Sequence, residues 1–256
     1  MKSAAKSERN ASGATVDPAE LEKFARMAES WWNPRGEFRP LHKVNPTRIA
    51  FIRDSVAARL GRDPLAPRPL EGLRLLDIGC GGGLLAEPMT RLGARVTGID
   101  PTAKNIGIAR LHGEQSGLDI DYRVATAEEL TAAGEEFDVV LNMEVVEHVA
   151  DLNAFVADCC GLLTDKGVMF VSTLNRTPKS FLFAIVGAEY VLRWLPRGTH
   201  DWSKFVRPSE LAAAARRAGS EIGNLTGVSY NPLRDSWGLS QDLDVNYMAT
   251  VTHAAA

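Results

Sequence analysis

The sequence predicts an α/β fold, a seven-stranded and mostly parallel sheet with helices on both faces. Three observations predict it. Short apolar runs alternate with amphipathic segments from Leu73 onward. The first run opens into a glycine cluster at Gly79, Gly81, Gly82 and Gly83, and the second closes on an acid, Asp100. The last run alternates Val245, Tyr247, Ala249 and Val251, the two-residue period of a half-buried strand. Such alternation implies parallel strands joined by right-handed crossovers.

The elements follow in order. Residues 1–16 are polar and small and lack an apolar stretch, so they read as a disordered start and not as a secretory leader. Residues 17–72 read as a helical cap and linker: Pro18 marks a helix start, Trp31-Trp32-Asn33-Pro34 ends that segment, and Arg48 to Leu60 forms a second. Pro64, Pro67 and Pro69 mark the linker. Residues 73–256 then form the main domain. Its strands are predicted at Leu73–Ile78, Arg95–Asp100, Ile120–Val124, Phe137–Asn142, Val168–Thr173, Glu221–Ser229 and Asp244–Thr252. Helices are predicted at Leu84–Leu92, Ala103–Gln115, Asp151–Leu163 and Pro208–Ala218, with an insertion at 174–205.

Composition narrows the function. A chain of 256 residues with net charge -3 suits one large domain, and no basic cluster offers a nucleic-acid footprint. Cys80, Cys159 and Cys160 are an odd set, two of them adjacent, which argues for a reducing compartment. The vicinal pair reads better as buried helix residues than as metal ligands. No uninterrupted apolar run reaches the ~18 residues that a membrane span needs.

The loop Asp77-Ile78-Gly79-Cys80-Gly81-Gly82-Gly83 leaves the first strand where such sheets bind ligands. Glycine there permits a tight turn and close ligand approach. Asp100, ending the second strand, can accept from both hydroxyls of a ribose. A dinucleotide loop reads G-x-G-x-x-G, but its third glycine would fall on Leu84. Asp77 adds a negative charge where a pyrophosphate would not want one. A cationic nucleoside fits better, and S-adenosylmethionine is one.

The loop with Gly98-Ile-Asp100 resembles the class I methyltransferases, whose fold is Rossmann-like. More narrowly, the chain resembles the ubiquinone biosynthesis O-methyltransferases. Trp31-Trp32, Gly36 to His42, Asn45-Pro46, Met143 to Val149, Ser172 to Arg176, Val186 to Tyr190, Gly198 to Asp201 and Asp244 to Met248 carry that resemblance. It implies both O-methylations of ubiquinone synthesis, on polyprenylated rings bearing adjacent oxygens. It also implies cofactor contacts from Arg48, Gly79, Asp100 and Met143, to which the loop reading adds Gly81, and a cytoplasmic enzyme peripheral to the inner membrane that works beside other enzymes of the pathway. Arg48 would pair with the methionine carboxylate; read alone, it is equally an exposed helix charge. Met143 would pack on the adenine or sulfonium; read alone, it is core.

Methyl transfer from a sulfonium needs an aligned nucleophile and help in removing the phenol proton. Glu144, Glu147 and His148 stand at i, i+3 and i+4, one face if the segment is helical. Two carboxylates and an imidazole suit Mg²⁺ or another divalent ion, which the resemblance also implies at these positions. Acids in a helix's first turn are favoured without a ligand, and His148 alone can serve as a metal-free general base.

Phe181 to Leu195 is apolar nearly all round if helical, and Lys179, Arg193, Arg197 and Lys204 flank it. A prenylated acceptor must come from the membrane, so residues 178–205 are expected to meet the lipid surface or the prenyl tail. A buried helix in a dimer is the plainer alternative. His200 and Asp201 either reach the acceptor or form a turn. Leu84 disfavours a nicotinamide dehydrogenase, and the Glu144-Glu147-His148 cluster disfavours a non-catalytic assembly protein.

Overall fold

The computed structural model describes residues 30–36, 38–182, 201–231 and 233–254. Helix α1 spans Arg39–Leu60. It starts nine residues before the predicted Arg48, because Pro40 occupies the first turn, where no N–H is needed, and Pro46 is carried inside. Val44, Phe51, Ile52 and Val56 recur at helical spacing and are buried, and so are the polar Asn45 and Arg48. Gly61, in the left-handed conformation, ends the helix by donating its N–H to the Ala57 carbonyl.

The alternating domain follows as β1 (Arg74–Ile78), α2 (Ala86–Arg91), β2 (Arg95–Asp100), α3 (Ala103–Gln115), β3 (Asp121–Val124), α4 (Ala127–Ala132), β4 (Phe137–Met143), α5 (Leu152–Gly161) and β5 (Leu163–Leu174). A short helical turn, α6, covers Pro178–Ser180. After it come α7 (Pro208–Arg217), β6 (Ser220–Asn231), β7 (Ser236–Ser240) and β8 (Asn246–His253). Single 3₁₀ turns lie at Val146–His148 and Trp202–Lys204.

The sheet has eight strands in the order β3-β2-β1-β4-β5-β8-β6-β7. The first five are mutually parallel; β8 runs antiparallel between β5 and β6. The predicted seven strands become eight because Ser236–Ser240 pairs with β6 as a hairpin. Five residues with Gly238 near their centre give little strand signal in sequence. The pairing is secured from outside, where the Thr47 hydroxyl on α1 donates to the Trp237 carbonyl at 3.1 Å. Helix α4 was also not predicted, yet its Thr126 and Glu129 form a capping box.

Adjacent residues of the central strands feed opposite sides of the sheet. Leu75, Val139 and Phe170 join α1, α2 and α3 in one core; Leu76, Val140 and Met169 join α4, α5 and α7 in the other. With both faces covered, β1 and β2 are buried after their first residue. The strand order reverses between β1 and β4, so the carboxyl ends of β1, β2, β4 and β5 open on one crevice. In the insertion, Thr177 caps α6 and Phe181 and Leu182 are exposed; residues 183–200, with most of the predicted apolar helix, lie outside the described residues.

Candidate active site

The glycine loop leaves β1 with positive φ at Gly79, Gly81 and Gly83. The space that these glycines leave is already used by neighbours. A Cβ on Gly79 would stand 2.8 Å from Val145, and one on Gly82 would stand 2.8 Å from the Trp31 ring. At Gly83 it would strike the Tyr122 hydroxyl. The loop is therefore shaped by its own packing as well as for ligand approach.

Asp100 ends β2 beside the loop. Its Oδ2 accepts from the Gly81 N–H at 3.2 Å and the Asn105 amide at 3.2 Å, and its Oδ1 accepts from the Thr102 N–H at 2.8 Å. A carboxylate accepts about four hydrogen bonds. One position on Oδ1 is left for a hydroxyl, and a second would displace Asn105.

Asp77, the last residue but one of β1, is buried, and its Oδ2 has no hydrogen-bond partner. Burial pushes its carboxyl up to about 7, the Ala86 N–H pulls it down, and the Asp100 charge pushes it up again. A lone buried carboxylate oxygen calls for a donor or a cation, and an ammonium or sulfonium supplies the charge it lacks. The residues present fit S-adenosylmethionine on this ground.

Met143 ends β4 and is buried. The chain then turns through Glu144, a non-glycine residue at φ 59, whose N–H donates to the Ser172 carbonyl at 2.8 Å. Arg48 reaches this turn from α1. Its guanidinium donates to the Glu144 carboxylate and approaches the Ser172 hydroxyl at 3.5 Å. Arg48 is thus no exposed helix charge: it is buried and points at the crevice end of β4 and β5.

Glu144, Glu147 and His148 do not share a helical face. Glu144 precedes the 3₁₀ turn with positive φ, so the i, i+3, i+4 geometry of a helix does not apply, although the Glu144 and Glu147 carboxyl groups hydrogen-bond to each other. Glu147 is buried and accepts from the Thr173 hydroxyl at 2.8 Å, whereas His148 is exposed. Burial holds the Glu147 carboxyl well above the usual carboxylate range, and the Glu144 charge adds to this. Among the described residues no three His, Cys, Asp or Glu side chains gather as a metal-ion cluster. A divalent ion at these positions stays what the resemblance implies, and no step below is routed through one.

A cleft of about 470 Å³ opens beside that turn, lined among others by Val146, Glu147, Val149, Arg176, Phe205 and Glu210. Asp201 takes the turn role: its carboxylate accepts from the Ser203 N–H at 3.0 Å and hydroxyl at 2.6 Å. His200 lies outside the described residues. Cys80, Cys159 and Cys160 are free and buried, and burial pushes the Cys159 thiol far up, away from reactive thiolate chemistry. Trp31, Ser172 and Thr173 were missed as site residues. The signal for them was present in the segments Trp31-Trp32 and Ser172 to Arg176, but nothing in spacing assigned them a role.

A family described as a methyltransferase domain matches residues 76–171. Ubiquinone biosynthesis O-methyltransferases are similar over nearly the whole chain. The protein from Brucella anthropi is 59% identical over 94% of this chain and 97% of its own length. That from Chelativorans sp. (strain BNC1) is 61% identical over 91% of this chain and 92% of its own. Among solved structures, the magnesium protoporphyrin IX methyltransferase of Synechocystis PCC 6803 with bound SAH covers 91% of this chain and 94% of its own, with TM-score 0.59 at 18% identity. The plantazolicin methyltransferase BamL, solved with a triazolic desmethylPZN analog and SAH, covers 91% of this chain and 96% of its own with TM-score 0.64 at 16% identity. These two share the fold.

Proposed function

The chain belongs to the ubiquinone biosynthesis O-methyltransferases, and from that premise we propose that it methylates ring hydroxyls of polyprenylated catechol and demethylubiquinol intermediates, at both O-methylation steps. It is an S-adenosylmethionine-dependent methyltransferase. S-adenosylmethionine supplies, when bound, the activated methyl and its leaving group.

The chain's own residues do the rest. Asp77 offers a buried acceptor to a cation, Asp100 offers Oδ1 to a ribose hydroxyl, Arg48 offers a guanidinium to a carboxylate, and Met143 offers an apolar wall. His148, exposed on the 3₁₀ turn, takes the phenol proton and passes it to solvent. Glu147 beside it keeps a carboxyl near neutrality within reach of the same crevice. The cleft against Glu147 gives the ring a way in.

The observation that carries this reading is the convergence of Arg48, Asp77, Asp100 and Glu147 on the carboxyl edge of β1, β2 and β4. Membrane contact through 178–205, with the chain cytoplasmic and peripheral to the inner membrane beside other enzymes of the pathway, belongs to the same proposal. Two exposed apolar side chains, Phe181 and Leu182, support it where that segment leaves α6. Radiolabelled S-adenosylmethionine incubated with a prenylated catechol tests it: label in the extracted lipid is expected, and label absent there but present on a small polar phenol would overturn it.

A further inference from the structure

We propose that Trp31 is a further cofactor-enclosing residue, its indole forming the roof of the glycine loop with Phe38 stacked behind it. The proposal rests on the reading of that loop as the cofactor site. Trp31 and Phe38 lie parallel within 12° at 3.9 Å between centroids. The Trp31 ring is flush against the loop: a Cβ on Gly81 would come within 2.5 Å of it and one on Gly82 within 2.8 Å. Gly82, unlike its neighbours, has no left-handed backbone to accommodate. Its want of a side chain answers to the indole.

The segment carrying Trp31 is tied down at three points. The Trp32 indole N–H donates to the Gly82 carbonyl at 2.9 Å. The Trp32 ring stacks on His112 of α3 at 3.7 Å, and His112 Nδ1 meets the wholly buried Glu87 of α2, which also pairs with Arg91 at 2.9 Å. His42 Nε2 on α1 lies 2.9 Å from the Trp31 carbonyl, so that nitrogen carries the hydrogen. The ties reach the loop, α1, α2 and α3, every element around the first half of the crevice. With one face on Phe38 and the other on Gly81 and Gly82, the ring presents its edge to a ligand beside the loop, and a wall so held excludes water there. The same segment leads directly into α1, so the roof and Arg48 are placed together.

The test is a double-mutant cycle on the affinity of S-adenosylhomocysteine, read by calorimetry with the full chain, alongside thermal melts. Trp31→Ala is expected to weaken binding about tenfold, the worth of an aromatic contact, with most of it restored in Trp31→Phe. Gly82→Ala alone should weaken binding by pushing the ring away. In the Trp31→Ala background it should cost almost nothing further. Wild-type affinity in Trp31→Ala, or an undiminished Gly82→Ala penalty in that background, overturns the proposal. If Trp31→Ala melts early, Trp31→Leu carries the same cycle. A wild-type chain that binds no S-adenosylhomocysteine overturns the loop reading itself, which separates the two failures before any variant is made.

Discussion

The Arg48 guanidinium, buried on the inner side of α1, donates to the Glu144 carboxylate, and the Ser172 hydroxyl donates to the same Glu144 oxygen at 2.5 Å. Glu144 holds φ 59, a conformation that a non-glycine side chain adopts at some cost. The pair places a carboxylate where Arg48 is expected to meet the carboxylate of the cofactor. Two acids then compete for one guanidinium. Glu144→Gln should leave S-adenosylhomocysteine affinity unchanged or tighten it severalfold, because the competitor is neutral. Arg48→Met should weaken it about tenfold to a hundredfold, the loss expected for a charged hydrogen bond. Titration calorimetry on both variants decides. Equal weakening by the two would mean that Glu144 assists the cofactor and does not compete with it.

Asp77 makes the stability of the ligand-free enzyme depend on pH in a particular direction. Its folded-state pKa is raised from 3.8 to about 7, chiefly by burial. The folded chain therefore binds more protons than the unfolded one between these values. Stability is fullest below the unfolded pKa and is lost as pH rises toward 7, by at most about 1.4 kcal/mol per pH unit. Asp77→Asn should remove this loss, so that the variant melts higher than wild type at pH 8 and closer to it at pH 4. A bound cation pulls the pKa down, so cofactor affinity should rise with pH through 7 in wild type and lose that rise in Asp77→Asn. Melting curves and calorimetry across that range check both.

The sheet was legible because β1, β2 and β4 are buried on both faces and must be apolar runs. The glycine loop and Asp100 were legible because a tight turn at a strand end needs those residue types. The Glu144 turn was not. Its spacing satisfies a helix, and only the positive φ at Glu144, pinned by the Ser172 carbonyl and by Arg48 from α1, replaces the helical face with a tighter turn. Such contacts span 96 and 28 positions in the chain, and no local pattern carries them. Strand β7 escaped because five residues around Gly238 give little strand signal, and the α1 contact that steadies the hairpin comes from far along the chain. Trp31 escaped because a tryptophan pair near the start of a chain reads as the end of a helix, and nothing local says that it lies on the glycines fifty positions later.

Glu147 and His148 are neighbours with opposite surroundings, and substitution should separate them. His148→Ala removes the exposed base and should lower kcat by about 10²- to 10⁴-fold, with cofactor affinity unchanged. Glu147→Gln keeps an acceptor for the Thr173 hydroxyl and removes the buried charge. Because burial and the Glu144 charge raise the Glu147 pKa, its ionised form costs stability that the protonated form does not. Glu147→Gln should therefore melt at or above wild type on the alkaline side, and its activity profile should lose a limb that wild type shows there. An activity profile unchanged in shape would take Glu147 out of the proton path. Steady-state rates against pH, with melts in the same buffers, report all of this.

The last expectation concerns the segment after β5, where the structure alters the charge argument. Lys179 stands at the edge of the apolar stretch and would serve as a basic anchor for anionic lipid. It is instead paired with Asp242 at 2.5 Å and with Asp244 at 3.4 Å, and these pairs hold its pKa above the usual lysine range. Two carboxylates around one ammonium leave a locally negative spot, so anionic headgroups gain little there. Phe181 and Leu182 are the exposed apolar side chains of the same turn, and burying the half of each that is open is worth about 1 kcal/mol. Vesicle binding should therefore follow these two side chains more closely than Lys179. In flotation assays, Phe181→Glu with Leu182→Glu should lower the bound fraction on both neutral and anionic vesicles, corresponding to roughly a tenfold or greater loss of affinity. Lys179→Gln should change it little. A wild-type chain that never floats, and a double variant that instead dissociates a dimer in sedimentation, would reassign this apolar turn to a contact between copies of the chain.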